Sequence, residues 1–184
     1  MKSGDGTPTT PRGQKTQEAI LAAAFAVAVA DGLDGLRTRA VAERAGVNIA
    51  TLHYYFPHKD DLEQALLHWL LARFREQPPD RRGRWPAELA TAVDWGTAGA
   101  DFLALWYAFW VRGLKDVRIR EILKAHLEGW QSRWAGLVSA DPNSVAATFW
   151  MAVALGLPIL TATGIQGSEA ALAYGLRHVG EETS

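Results

Sequence analysis

The sequence contains no cysteine. Disulfides, thiolate metal sites and cysteine nucleophiles are thereby excluded, whichever redox compartment holds the chain. It also lacks an excess of charge of either sign, with 19 Lys and Arg against 20 Asp and Glu and a formal net charge of -1 at pH 7. Coating a polyanion by bulk charge needs surplus cations at the contact, so any nucleic-acid binding here has to be local. The N-terminus carries no apolar run of signal-peptide length, and a cytoplasmic location is the expectation. Catalytic patterns are missing as well. The histidines His53, His58, His68, His126 and His178 include no pair at i, i+3 or i, i+4, the spacings that put two metal ligands on one helix face. Neither a phosphate-loop glycine pattern nor a Gly-x-Ser-x-Gly elbow is present. No enzymatic activity, cofactor, catalytic residue or metal site is expected.

What is present is enough apolar material for a real core: 184 residues, 48% of them hydrophobic. The 8 tryptophans are unevenly placed, with only Trp69 in the first 84 residues. Residues 1–14 hold Gly4, Gly6, Pro8, Pro11 and Gly13 among Ser and Thr and read as a flexible arm. From Thr16, the positions Ile20, Leu21, Ala24, Phe25 and Ala28 follow helical spacing until Asp31-Gly32. Thr38 is the expected N-cap of a short second helix with Val41, Ala42 and Ala45 inward, ended by Gly46 at C′. Asn48 is the expected cap of a third helix, in which Leu52 and Phe56 share one face and Ile49 and His53 another. Pro57 ends it. Asp60 and Asp61 then open a long helix bearing Leu62, Leu66, Trp69 and Leu70.

Two short helices around Gly46 predict a helix-turn-helix, whose second helix can enter the DNA major groove, although the same spacing also occurs in plain helical bundles. With Leu52 and Phe56 needed inside, Ile49, Ala50, Thr51, His53 and Tyr54 are left for DNA. Ile49 and the Thr51 methyl suit thymine methyls, and Ala50 permits close approach. Thr38, Arg39, Tyr54 and Lys59 carry hydroxyls and cations suited to phosphate, which fixes register rather than sequence. Lys2, Arg12 and Lys15 are further cations near the arm.

The residues Ile20-Leu21, Ala23-Ala24, Gly32, Thr38, Val41-Ala42-Glu43-Arg44-Ala45-Gly46-Val47 and Thr51-Leu52-His53-Tyr54-Tyr55-Phe56-Pro57-His58-Lys59 resemble the DNA-binding domain of the tetracycline-repressor (TetR) family of bacterial transcription regulators. The resemblance implies an all-α homodimer with an N-terminal three-helix DNA-reading domain and a C-terminal bundle that binds a small effector and dimerises. By motif position it assigns Thr38 and Arg39 to DNA contacts at the start of helix two. It assigns Ile49, Ala50 and Thr51 to base-reading positions and His53, Tyr54 and Lys59 to the DNA backbone, and Asn48 at the start of the reading helix is a further DNA-binding candidate. Where the family usually has Tyr after Leu52, this chain has His53.

The expected domain plan is a flexible arm over 1–14, the helix-turn-helix domain over 15–60, a connecting helix over 61–76, a Pro- and Arg-rich linker over 77–86 and an effector-binding and dimerisation domain over 87–184. Helices are expected near 87–97, 99–114, 117–138, 142–163 and 168–179. Trp106, Trp110, His126, Trp130, Trp134 and Phe149 are candidate lining for an apolar effector pocket, since such sites are mostly apolar with a few polar groups. No charge falls between Asp141 and Glu169, but Thr and Gly dilute the apolar character, so this stretch reads as a buried helix rather than a membrane span. Small residues there suit close helix approach, and Ala147, Trp150, Ala154, Leu172 and Leu176 are the candidate dimer interface. Pro158 is expected to kink or end its helix. The expected partners are a pseudo-palindromic double-stranded DNA operator, a second copy of the chain and a small apolar or aromatic effector. Repression is the expected action, and a DNA-binding regulator without effector is the alternative.

Overall fold

The computed structural model describes residues 10–76, 99–138, 145–165, 167, 170, 171 and 174. They are helical throughout: α1 (Pro11–Asp31), α2 (Thr38–Ala45), α3 (Ile49–Tyr55), α4 (Lys59–Glu76), α5 (Ala100–Gly113), α6 (Val117–Val138) and α7 (Val145–Ala162). No strand occurs among the described residues. The expected linker over 77–86 and helix over 87–97 lie outside them, as does most of the expected last helix, of which Ala170, Ala171 and Tyr174 are helical.

α1 starts five residues before the expected Thr16. The Thr10 hydroxyl accepts the Gly13 N–H at 3.2 Å and Pro11 takes the first helical position, so residues 11–14 are helix rather than arm. Proline is suited to that position because its missing N–H has no intrahelical partner there. α1 buries Ile20, Leu21, Ala23, Ala24, Val27 and Ala28. Thr38 is likewise one position further in than expected. Arg37, extended at φ -107° and ψ 128°, is the N-cap, and its carbonyl takes the Val41 N–H at 3.0 Å. Leu36, fully buried, anchors the chain just before this extended residue, which sets where helical geometry begins.

Gly46 adopts φ 67° and ψ 29°, and Val47 N–H reaches back to the Ala42 carbonyl at 3.0 Å, closing α2 with a Schellman turn. The Asn48 carboxamide oxygen then accepts the Thr51 N–H at 2.7 Å and opens α3. Leu52 and Phe56 go into the core as expected, and α2 packs against both α1 and α3. On α4, Leu62, Leu66 and Leu70 recur every four residues and are fully buried, joined by Leu67. Trp69 is only half-buried. Its indole N–H donates to Glu18 at 2.9 Å, while the Arg73 guanidinium lies 3.7 Å from the ring centroid and bonds the same carboxylate. These contacts tie α4 to α1.

The chain divides into two compact units: residues up to Phe74 with Ala104–Ile122, and Arg75–Leu103 with the chain from Leu123 onward. The expected single C-terminal domain from residue 87 therefore loses 104–122 to the first unit, where Trp106, Phe109 and Ile119 join the core. The α5–α6 turn is closed by side chains. Arg120 donates to the Gly113 and Leu114 carbonyls at 2.9 and 3.1 Å, satisfying the end of α5. Asp116 accepts the Arg118 N–H at 2.9 Å and caps α6. In the second unit, α6 and α7 bury Leu123, His126, Ala154 and Leu157. Pro158 neither ends α7 nor introduces a cis bond. It removes one hydrogen bond, that to the Ala154 carbonyl, and the helix runs on to Ala162.

Burial opposes ionisation of Asp116, but the Arg118 backbone N–H and guanidinium outweigh it and hold the carboxyl below its ordinary value. A carboxyl depressed in the folded state contributes stability above its unfolded pKa and loses it as pH falls through the folded one. Asp116→Ala is expected to cost about 1 kcal/mol near pH 7. The cost should shrink below about pH 4. Thermal unfolding at pH 7 and pH 3 measures this, and an equal Tm difference at both would contradict it.

Candidate nucleic-acid interface

The outward face of the turn and α3 follows from what the core consumes. With Leu52 and Phe56 buried, Ile49, Ala50, His53 and Tyr54 are exposed and Thr51 is half-exposed. The Tyr54 and Tyr55 rings meet edge to face at 5.2 Å, but they have different fates. Tyr55 is half-buried, whereas Tyr54 is 79% exposed and free to present its hydroxyl. Asn48 is exposed, yet its oxygen is committed to the Thr51 cap, leaving only its amide N–H groups for another partner. His53 Nδ1 lies 3.2 Å from the Pro57 carbonyl oxygen. A proton on Nδ1 would donate to that carbonyl, leaving Nε2 as the nitrogen that faces outward.

The phosphate candidates lie on α1, on α2 and at the start of α4. Arg39 is exposed and Thr38 half-buried, both in the first turn of α2. Lys59 is not free: its Nζ donates to the Asp34 carbonyl at 3.3 Å, tying the start of α4 to the α1–α2 loop. At the same place Asp61 accepts the His58 N–H at 2.9 Å, closing the entry to α4. Lys15 and Arg12 are exposed on the first turns of α1 rather than on an arm, while Lys2 lies outside the described residues.

The structure brings together part of the aromatic set. Trp106 is buried and meets half-buried Trp110 edge-on at 5.6 Å, both in the first unit. His126, buried, and Phe149, half-exposed, belong to the second. The side chains of Trp130 and Trp134 lie outside the described residues, as do those of Ala147 and Trp150 and the whole of Leu172 and Leu176. Ala154 requires correction as a dimer-interface residue. It is already buried within its own chain, and among the described residues the large apolar side chains that α7 leaves exposed are Val145, Phe149, Ile159 and Leu160.

Sequence reasoning missed a set of ion pairs in the first unit. Arg112 on α5 reaches Glu63 on α4 and Asp34 in the α1–α2 loop, each at 2.8 Å. Arg118 reaches Asp60 at 2.7 Å. The partners stand 49, 78 and 58 positions apart, and no periodicity links such residues in a sequence.

A Schellman turn between two short helices, with the second helix holding its apolar pair inward and a mixed face outward, defines a helix-turn-helix module of the DNA-reading class. Residues 20–66 match the family described as bacterial regulatory proteins, tetR family. The resemblance noted in the sequence thus holds for the segment that carries it, and members of this family are DNA-binding regulators, not enzymes. The HTH-type transcriptional regulator BetI of Burkholderia thailandensis is 29% identical over 99 residues, 50% of this chain and 51% of that protein. The chain thus matches about half the length of this curated relative. A transcriptional regulator from Rhodococcus sp. Rha1 shares the fold with a TM-score of 0.74 at 23% identity, covering 90% of this chain and 96% of its own. A protein from Saccharomonospora viridis described as a transcriptional regulator, solved in complex with choline, gives 0.67 at 21% identity, with 91% and 95% covered. No helix among the described residues is long and apolar enough to cross a membrane.

Proposed function

We propose that the protein is a ligand-responsive transcription regulator of the cytoplasm, a homodimeric repressor that leaves a pseudo-palindromic operator when a small apolar or aromatic effector binds. The observation that carries this reading is the outward face of α3, where Ile49, Ala50, His53 and Tyr54 stay exposed beside a fully buried Leu52. Ile49, Ala50 and Thr51 read base edges, largely by apolar contact. Thr38, Arg39, His53, Tyr54 and Lys59 hold phosphates, with Asn48 donating through its free amide. Lys59 must leave or share the Asp34 carbonyl to do so. Residues 1–75 hold nine Lys and Arg against eight Asp and Glu, so these placed donors, not bulk charge, supply the attraction.

The effector class is supported by the concentration of tryptophan beyond residue 84 and by the edge-on Trp106–Trp110 pair. Large rings accept apolar and aromatic molecules, and a cation above a ring face gains about 0.5–2 kcal/mol. The choline held by the Saccharomonospora viridis protein makes a quaternary ammonium compound a reasonable first test. The exposed apolar side chains of α7 support a second copy as the dimer partner, because a partner helix covering them removes apolar surface from water.

Footprinting on DNA flanking the protein's own gene tests the reading. A symmetric protected site that is lost on adding an effector supports it, and the absence of protection at low salt contradicts it as an autorepressor.

A further inference from the structure

The helix α3 runs Ile49-Ala50-Thr51-Leu52-His53-Tyr54-Tyr55 and contains no Arg, Lys, Asn, Gln, Asp or Glu. Those six side chains make the hydrogen-bonded contacts that tell base pairs apart in the major groove: Arg or Lys on guanine, Asn or Gln on adenine, Asp or Glu on cytosine. Asn48, just ahead of the helix, does not replace them. Its carboxamide oxygen holds the Thr51 N–H at 2.7 Å, whereas the paired contact to adenine needs that oxygen to accept from the base while the amide donates.

What the start of α3 offers instead is methyl groups. Ile49 is 39% exposed, Ala50 is exposed and Thr51 is half-exposed. An isoleucine in a helix keeps essentially one χ1 rotamer, so its outward methyls are held in place before DNA arrives. The Thr51 hydroxyl both donates and accepts and therefore favours no base, while its methyl adds to the apolar surface. Buried Leu52 and Phe56 fix which way that surface turns. The apolar group on the major-groove edge of a base pair is the C5 methyl of thymine. 5-Methylcytosine carries the same methyl and differs at position 4, where an amino group replaces the carbonyl oxygen. A side chain without polar atoms does not sense that difference.

We propose that Ile49 and Ala50 read the C5 methyl group of pyrimidines, that thymine and 5-methylcytosine are equivalent to these two side chains, and that methylation of cytosine beneath them raises operator affinity. The proposal rests on the DNA-reading function above and names the chemical group which that function recognises. Covering one methyl changes affinity by about three- to fourfold, and a symmetric pair of methyls under a dimer by about tenfold. An operator with cytosine at such a position binds weakly until it is methylated, and one with thymine there is indifferent to methylation.

The test uses the full-length protein and an operator selected from random duplex DNA. Thymines are replaced by uracil one position at a time, symmetrically in both half-sites, which removes only the C5 methyl. At the positions that respond, cytosine is then compared with 5-methylcytosine, and within each comparison the paired purine stays the same. Loss of the methyl is expected to weaken binding about tenfold at one or two positions per half-site in both comparisons. Ile49→Ala is expected to remove most of that ratio at one of these positions, and Ile49→Val to retain it. A methyl acting only through the shape of the duplex would give the native ratio in Ile49→Ala, and that result overturns the proposal. So does an operator in which no thymine responds to uracil, or equal binding of cytosine and 5-methylcytosine where uracil and thymine differ. Failure of the native protein to select any sequence overturns the DNA-reading function itself, and the methyl reading falls with it.

Discussion

Arg39→Ala is expected to weaken operator binding on the order of a hundredfold and to flatten its salt dependence. A dimer loses two charge-assisted phosphate contacts, each worth about 1.5 kcal/mol or more. The slope of log affinity against log salt should fall in magnitude by about 1.8, because each neutralised phosphate contributes about 0.9. The loss should be nearly uniform across DNA sequences, since phosphate contacts carry no base information. Ile49→Ala makes the opposite pattern: the salt slope stays, while discrimination at the base pairs it touches drops by about 1 kcal/mol. Fluorescence anisotropy with labelled duplex over a range of salt separates the two. An Arg39→Ala protein with the native slope would show that exposed Arg39 contacts no phosphate.

Leu52→Ala is expected to destabilise the first unit by about 3 kcal/mol. Leu52 is fully buried, and its carbonyl takes the Phe56 N–H at 2.8 Å that caps the end of α3. α3 has only 7 residues, too few to persist in water without packing, so losing this anchor removes much of what holds the helix in place. The urea midpoint should fall by about 1.5 M for a slope near 2 kcal/mol/M. Tyr54→Ala, one turn face away and largely exposed, should change stability by less than about 0.5 kcal/mol while still costing DNA affinity. Equal stability losses in the two variants would contradict the division of α3 into a core face and a reading face.

The reading half was legible because its signals are local. Gly46 in the left-handed region, the Asn48 cap and the stop before Pro57 each act within four residues, and each stands where the sequence predicts. The Leu52 and Phe56 pair falls on one helix face by spacing alone, which leaves the outward residues by elimination. The misreadings had competing local cues. Gly13 and the glycines before it disguised a helix start that Thr10 and Pro11 mark. Thr38 has a good cap side chain, but the buried Leu36 just upstream moved the helix start one residue earlier. Pro158 stays inside α7, because losing one hydrogen bond does not outweigh the packing around its buried ring.

The ion pairs of Arg112 and Arg118 were illegible for a different reason. Their partners lie on other elements far along the chain, and only the fold brings Glu63 and Asp34 to one guanidinium. Glu63 shares a face with Leu66, Leu67 and Leu70 by helical spacing, and it is buried there with its carboxylate on Arg112. The assignment of residues 104–122 to the first unit is the same kind of information, carried by contacts across the chain rather than along it.

The central claim is that α3 reads a symmetric DNA site through a few placed groups. Selection of bound sequences from a random duplex pool by the purified full-length protein tests it most directly. The account predicts enrichment of a pseudo-palindrome whose half-site centres lie one DNA turn, about 10 base pairs, or a multiple of it apart, with Ile49→Ala relaxing one position in each half. Binding at low salt with no sequence enriched, or enrichment of a site without two-fold symmetry, would contradict it.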